Sequence, residues 1–350
     1  MPEAPMSSAP ADVGPGGNAW TAGPRAVLAR CYGAAMNLPE RPMRWAQRRF
    51  GPRLAWLFVG PNLAVFSLFT FLPILLNVWY AMTGSTRLLP GDRPWVGLGN
   101  MQALLACGSY LDPSTCEQDL FWQGVWNTAG FVLLQVSLMV LFSTVTALAL
   151  NKRIIGRGFF RAAFFYPVLL SPVVVALIWK WILQRNGVLN AMLAAGGAHP
   201  QDWLLNGRSA FGWTVFVSIW AHMGFYTLIL LAGLQAIPRD VYEAAEMDAA
   251  RPATRFRRIT LPLLMPTLLV VLVLSLIRAV QIFDEVFVLT GGGPGTATTY
   301  MVQYIFRMGF VQQEYGMASA ASLLLAAVLL CLTLLQLRVG RERAAGGKDE

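Results

Sequence analysis

Six long apolar runs, at about 54–82, 125–150, 159–183, 211–234, 261–288 and 318–337, alternate with short polar stretches. Each approaches or exceeds the roughly 20 apolar residues a helix needs to cross a bilayer. The pattern predicts an all-α polytopic membrane protein of about six transmembrane helices. Pro61, Pro73, Pro167, Pro172, Pro262 and Pro266 fall inside these runs. Membrane helices tolerate proline where neighbours re-satisfy the freed carbonyl, so the prolines mark kinks and do not cancel spans.

Composition strengthens this reading. Hydrophobic residues make up 56% of the 350, and charged residues only 13%, against about 25% in soluble domains. The net charge of +9 does not indicate a nucleic-acid partner, because the basic residues sit between apolar runs and form no single patch. Seven arginines precede or enter the first run; Lys152, Arg153, Arg157 and Arg161 follow the second; Arg239, Arg251, Arg255, Arg257 and Arg258 follow the fourth; Arg338, Arg341, Arg343 and Lys348 follow the sixth. The other side holds Arg87, Arg93, Arg185, Arg208 and Arg307. The positive-inside bias therefore predicts both termini in the cytoplasm. Residues 1–50 read as a disordered cytoplasmic tail, 51–340 as the transmembrane domain and 341–350 as a second cytoplasmic tail. The first fifty residues lack an early apolar h-region, so no cleavable signal peptide is expected. Trp79, Trp122, Trp126, Trp179, Trp181 and Trp203 fall near the proposed external ends, as interfacial indoles do.

Little here suggests resident chemistry. No His/Cys cluster has metal-ligand spacing, no cofactor is implied, and no GxxxxGK[ST] loop occurs. A chain without that loop does not hydrolyse ATP itself. Cys107 and Cys116 share one polar loop on the predicted outer side, which favours a disulfide; two free thiols remain the alternative.

The informative polar segment is IPRDVYEAAEMDAARPATRFRRITLP, residues 237–262. Asp240 followed by Glu243 predicts a capping box opening a helix near Val241. Ala244, Ala245, Ala249 and Ala250 keep that helix small-sided, which lets another backbone approach. Pro252 ends it and starts a second short helix, giving a helix–turn–helix on the cytoplasmic face. The spacing Glu243-Ala244-Ala245, then Asp248 and Ala249, then Ile259-x-Leu261-Pro262 resembles the EAA loop of binding-protein-dependent ABC importer permeases. FVGP (58–61), VGLGN (96–100), Asn127-Thr128, the 156–183 stretch, LAGLQAIP (231–238) and FDEVFVLTGGGPGTATT (283–299) are similar to the carbohydrate-uptake branch, which includes maltose and glycerol 3-phosphate permeases. The resemblance covers about residues 50–338. It implies a transmembrane permease domain that couples through Glu243, Ala244, Ala245, Asp248, Ala249, Ile259, Leu261 and Pro262 to an ATPase cleft. It also implies a second permease subunit, two ATPase subunits and a periplasmic solute-binding protein as partners. That family usually has glycine where Ala249 stands, which puts a tight positive-φ turn in question here.

Charged groups within spans default to functional hypotheses. Arg278, Gln281, Asp284 and Glu285 fall in the outer half of the fifth run at helical spacing and are candidates for the solute pathway; the competing readings are an internal ion pair, with Asp284 as a partner for Arg278, and Glu285 simply reaching the interface. Lys180 reads as a snorkelling residue, His222 as a satisfied buried residue, and Gly291–Pro294 as an external turn, for which the family resemblance implies a gate or a binding-protein contact and a simple tight turn is the alternative. Two further classes compete with the importer. An ion-coupled secondary transporter needs acids near the midplane and internal repeats, and a membrane enzyme needs a catalytic constellation.

Overall fold

The computed structural model describes residues 52–84, 87, 91, 93–152 and 155–345. The expected tail at 1–50 lies outside them. The described chain divides near Pro73 into two units, the segment 52–73 and a body from Ile74 onward. In chain order the helices are α1 (Pro52–Phe66), α2 (Leu72–Ala81), α3 (Gly99–Leu105), α4 (Asp119–Asn151), α5 (Arg157–Phe165), α6 (Pro172–Leu183), α7 (Val188–Ala195), α8 (Gly207–Ala236), α9 (Arg239–Met247), α10 (Pro252–Arg255), α11 (Leu261–Val280), α12 (Asp284–Leu289), α13 (Met301–Phe306) and α14 (Tyr315–Ala345). Among the described residues, five helical runs are long and apolar enough to span, and a bent pair makes a sixth.

The proline positions explain where spans stay whole and where they break. Wide π turns at Ser67–Phe71 and Phe256–Thr260 precede Pro73 and Pro262. Such a turn gives the ring room that a regular i−4 carbonyl would deny. α10, the π turn and α11 therefore form one run, Pro252–Val280. The second short helix expected on the cytoplasmic face is instead the foot of the fifth span. The third run does break. A 3₁₀ turn carries Pro167, Ser171 is extended ahead of Pro172, and Pro172 opens α6 at its first position, where the ring's fixed φ fits. The chain bends by 101° there, so the expected continuous span 159–183 is two helices.

The fifth run also ends early. Gln281 caps α11 at φ −92 and ψ 13, and α12 begins only at Asp284. The expected helix to 288 is thus a span to Val280 followed by a separate short helix. At the far end α14 runs to Ala345, past the predicted boundary at 340.

α4, α8 and α11 share the central core through Phe131, Met139, Tyr226, Leu230, Leu264 and Val271. Two glycines of α8 permit close approaches. A Cβ on Gly224 of α8 would sit 2.1 Å from the Phe164 carbonyl oxygen, and one on Gly233 would sit 2.6 Å from Thr267 Oγ1. A second cluster joins α3, α4, α13 and α14 through Leu104, Phe121, Tyr304 and Ala320, and a third joins α6, α8 and α12. Leu133, Phe142, Phe159, Leu177 and Leu330 are exposed, as expected of faces meant for lipid or a protein partner. The indoles divide in role. Trp122 and Trp126 donate to the Leu104 and Tyr110 carbonyls, whereas Trp179 and Trp203 both pack against Trp213, the second edge to face.

Candidate functional site

Three polar side chains from three helices meet beside the break in the third run. Ser218 lies one turn before His222 on α8, and its carbonyl accepts a hydrogen bond from His222 Nδ1 at 2.9 Å. That leaves Nε2 as the acceptor for Arg278 Nη2 of α11, at 2.8 Å, which fixes the neutral tautomer. Glu285 of α12 lies 3.4 Å from both Arg278 Nη2 and His222 Nε2. The Glu285 side chain is 5% exposed and that of Arg278 is 46% exposed. A buried carboxylate requires such partners. Arg278 and His222 then turn toward a cavity of about 300 Å³ lined also by Pro167, Phe225 and Tyr226.

The structure therefore brings Arg278 and Glu285 together and leaves Gln281 and Asp284 out. Gln281 is exposed at the end of α11, and Asp284 is exposed in the first turn of α12. The helical spacing that linked the four residues fails because the helix stops at Val280. The carboxylate partner of Arg278 is Glu285 and not Asp284. His222 was expected to be merely a satisfied buried residue; it belongs to the polar cluster. The available signal was its placement in a span, since a lone histidine there has few ways to be satisfied. Lys180 does not snorkel, because its Nζ donates to the Val288 carbonyl at the end of α12, 2.9 Å away.

Beyond α12 the Gly291–Pro294 segment is more than a surface turn. Gly291, Gly292 and Gly295 adopt positive φ, which glycine tolerates. Thr298 Oγ1 donates to the Gly293 carbonyl at 2.7 Å, and Thr299 Oγ1 donates to Gly292 at 3.1 Å. Asn127 Nδ2 donates to the Thr296 and Thr299 carbonyls at 2.8 and 3.1 Å, and Thr128 Oγ1 accepts from the Met301 amide at 2.9 Å. The Asn-Thr pair on α4 thus clamps this loop to the bundle. Asn100 of the VGLGN stretch does similar work, donating to the Ala81 and Thr83 carbonyls past the end of α2. Cys107 and Cys116 are joined, with Cα atoms 3.9 Å apart.

At the opposite end of α8, α9 follows immediately. Pro238 is its N-cap and makes no side-chain capping bond. The expected Asp240–Glu243 capping box is absent because the helix opens at Arg239, which leaves Asp240 inside the first turn, where a carboxylate favours the helix dipole. Ala245 is buried, while Glu243, Ala244, Met247 and Asp248 are exposed. The helix ends in a Schellman turn. Ala249 N–H donates to the Glu246 carbonyl, Ala250 N–H donates to Ala245, and Ala249 takes φ +52. The alanine accepts the left-handed shape that glycine would adopt freely. Tyr242 Oη lies 3.1 Å from Thr260 Oγ1, and Arg255 pairs with Glu246. Ile259 and Leu261 are half-buried at the foot of the span, where Pro262 is exposed.

A helical bundle of this kind, with a largely apolar cavity into which His222 and Arg278 project and an exposed helix hung from its base, fits a polytopic transport subunit. The chain belongs to the family of binding-protein-dependent transport system inner membrane components, whose profile matches residues 139–344. It is 37% identical over 292 residues to the trehalose/maltose transport system permease protein MalF of Thermococcus litoralis, covering 83% of this chain and 95% of that protein. It is 30% identical to the arabinooligosaccharides transport system permease protein AraP of Bacillus subtilis, covering 81% and 87%. A bacterial ABC transporter that imports the acidic polysaccharide alginate has the same fold, at 24% identity and a TM-score of 0.72, with 87% of this chain and 99% of that chain covered. The chain is thus an inner-membrane permease subunit of an ATP-driven importer and not an enzyme. It works with a second permease, with ATPase subunits that hydrolyse the nucleotide, and with a solute-binding protein. The ion-coupled alternative has no support.

Proposed function

We propose that this chain forms half of the pathway for a carbohydrate or a related small polar solute, with both termini and α9 on the cytoplasmic side. The observation that carries the coupling reading is α9 itself. It is a short helix with Ala245 turned inward and Glu243, Ala244, Met247 and Asp248 left uncovered, at the foot of a span to which Tyr242 ties it. An exposed helix with small and acidic side chains, fixed at its base, suits insertion into a cleft of an ATPase subunit, two of which complete the importer. The arginines flanking α9 and the chain ends support the orientation.

The cargo reading draws on sugar-importing relatives and on the cavity. Arg278 supplies donors for hydroxyls, and Phe225 and Tyr226 supply apolar faces. The test is uptake by the complete importer in proteoliposomes loaded with ATP and supplied from outside with labelled neutral oligosaccharides and the solute-binding protein. Uptake that needs internal ATP and the solute-binding protein supports the reading. Uptake driven by a proton or sodium gradient without ATP overturns it.

A further inference from the structure

We propose that Tyr242 and Thr260 are positioning residues: their hydrogen bond, backed by the Glu246–Arg255 ion pair, makes α9 and the foot of the fifth span move as one rigid body. This rests on the reading that α9 docks on an ATPase subunit. Only Asp248 to Arg251 connect α9 to α10. Left alone, that short link would act as a hinge, and a push on α9 would be absorbed by rotation there.

The structure cross-ties the two arms of the link. Tyr242 and Glu246 are four residues apart on α9, so they project from one face. Their partners Thr260 and Arg255 are five apart across the π turn, whose hydrogen-bond ladder joins residues at that separation. Each arm therefore presents two groups in register with the other. The ties are unequal. Thr260 is 6% exposed and the Tyr242 ring packs against the central core, so their bond is sheltered from water. The Glu246 side chain is 66% exposed, and an ion pair that open is weak. The ion pair sets register, and the hydroxyl pair supplies the stiffness. The docking side chains Glu243, Ala244 and Met247 remain uncovered. Docking and transmission are thus assigned to different residues of one short helix.

The test uses the complete importer carrying Tyr242→Phe, Thr260→Val or the conservative Thr260→Ser. Three quantities are read: retention of the ATPase subunits on purification, the rate of ATP hydrolysis, and solute imported per ATP hydrolysed. Tyr242→Phe and Thr260→Val should keep the ATPase bound yet lower solute per ATP about fivefold, the scale of one hydrogen bond of ordinary net strength. Thr260→Ser, which keeps the hydroxyl, should transport as the unmodified protein does. An unchanged solute-to-ATP ratio in both hydroxyl-deleted variants overturns the proposal. Loss of the ATPase from Tyr242→Phe overturns it too, because Tyr242 would then be a docking residue. Failure of the unmodified chain to retain any ATPase would instead remove the docking reading, and this inference with it.

Discussion

Ala249 holds φ +52 at the end of α9, a shape that costs a residue with a Cβ roughly 1 kcal/mol relative to glycine. Ala249→Gly should stabilise the turn by about that amount and raise the thermal midpoint in detergent; a lower midpoint would show that the gain in unfolded-chain entropy wins. Gly224 makes the opposite case. A methyl there meets the backbone of Phe164, and backbone cannot swing aside as a side chain can. Gly224→Ala should lose about 1–3 kcal/mol, measured in the same unfolding assay, and an unchanged midpoint would show that α5 relaxes. At this scale the sequence was readable only in part. The spacing of Glu243 to Pro262 marked the α9 segment for which coupling is proposed, and the charged character of Arg278 and Glu285 marked the polar cluster. His222 was marked only by its place inside a span, because nothing local predicts which residue faces another helix 56 positions away. Lys180 was misread for the same reason, since its partner is a backbone carbonyl of α12.

Element by element, the hydropathy pattern located the spans well and their breaks poorly. The apolar character of residues 261–288 continues across the end of α11, because α12 is itself apolar and packed against α6 and α8. Hydropathy records burial or lipid contact, not helical continuity. α12 is fastened at both ends, by Glu285 to Arg278 and His222 and by its Val288 carbonyl to Lys180. Glu285→Ala should therefore loosen this one element. Amide exchange at 284–289 should quicken while α4 exchanges as before. Uniform quickening would mean that the cluster supports the whole bundle, and no change would mean that α6 packing alone holds α12. The capping box failed on a one-residue shift: Pro238 sets the entry to α9, so Asp240 falls inside the helix.

For the whole molecule, six apolar runs and the arginine bias predicted a polytopic bundle, and the fold and family agree on its architecture. Orientation has its own test. With both termini cytoplasmic, Cys107 and Cys116 face outward. After mild reduction they should react in intact spheroplasts with a membrane-impermeant maleimide, in a chain whose other cysteines, Cys31 and Cys331, are changed to serine; labelling only after lysis would reverse the orientation. The central claim is that α9 couples this permease to its ATPase. The most direct measurement is co-purification of the ATPase subunits with a tagged, complete importer, comparing the unmodified chain with Glu243→Lys, which reverses a charge on the exposed side of α9. The account predicts that the ATPase is retained by the first and lost from the second, with the permease still in the membrane at normal level. Equal retention by both would contradict the account.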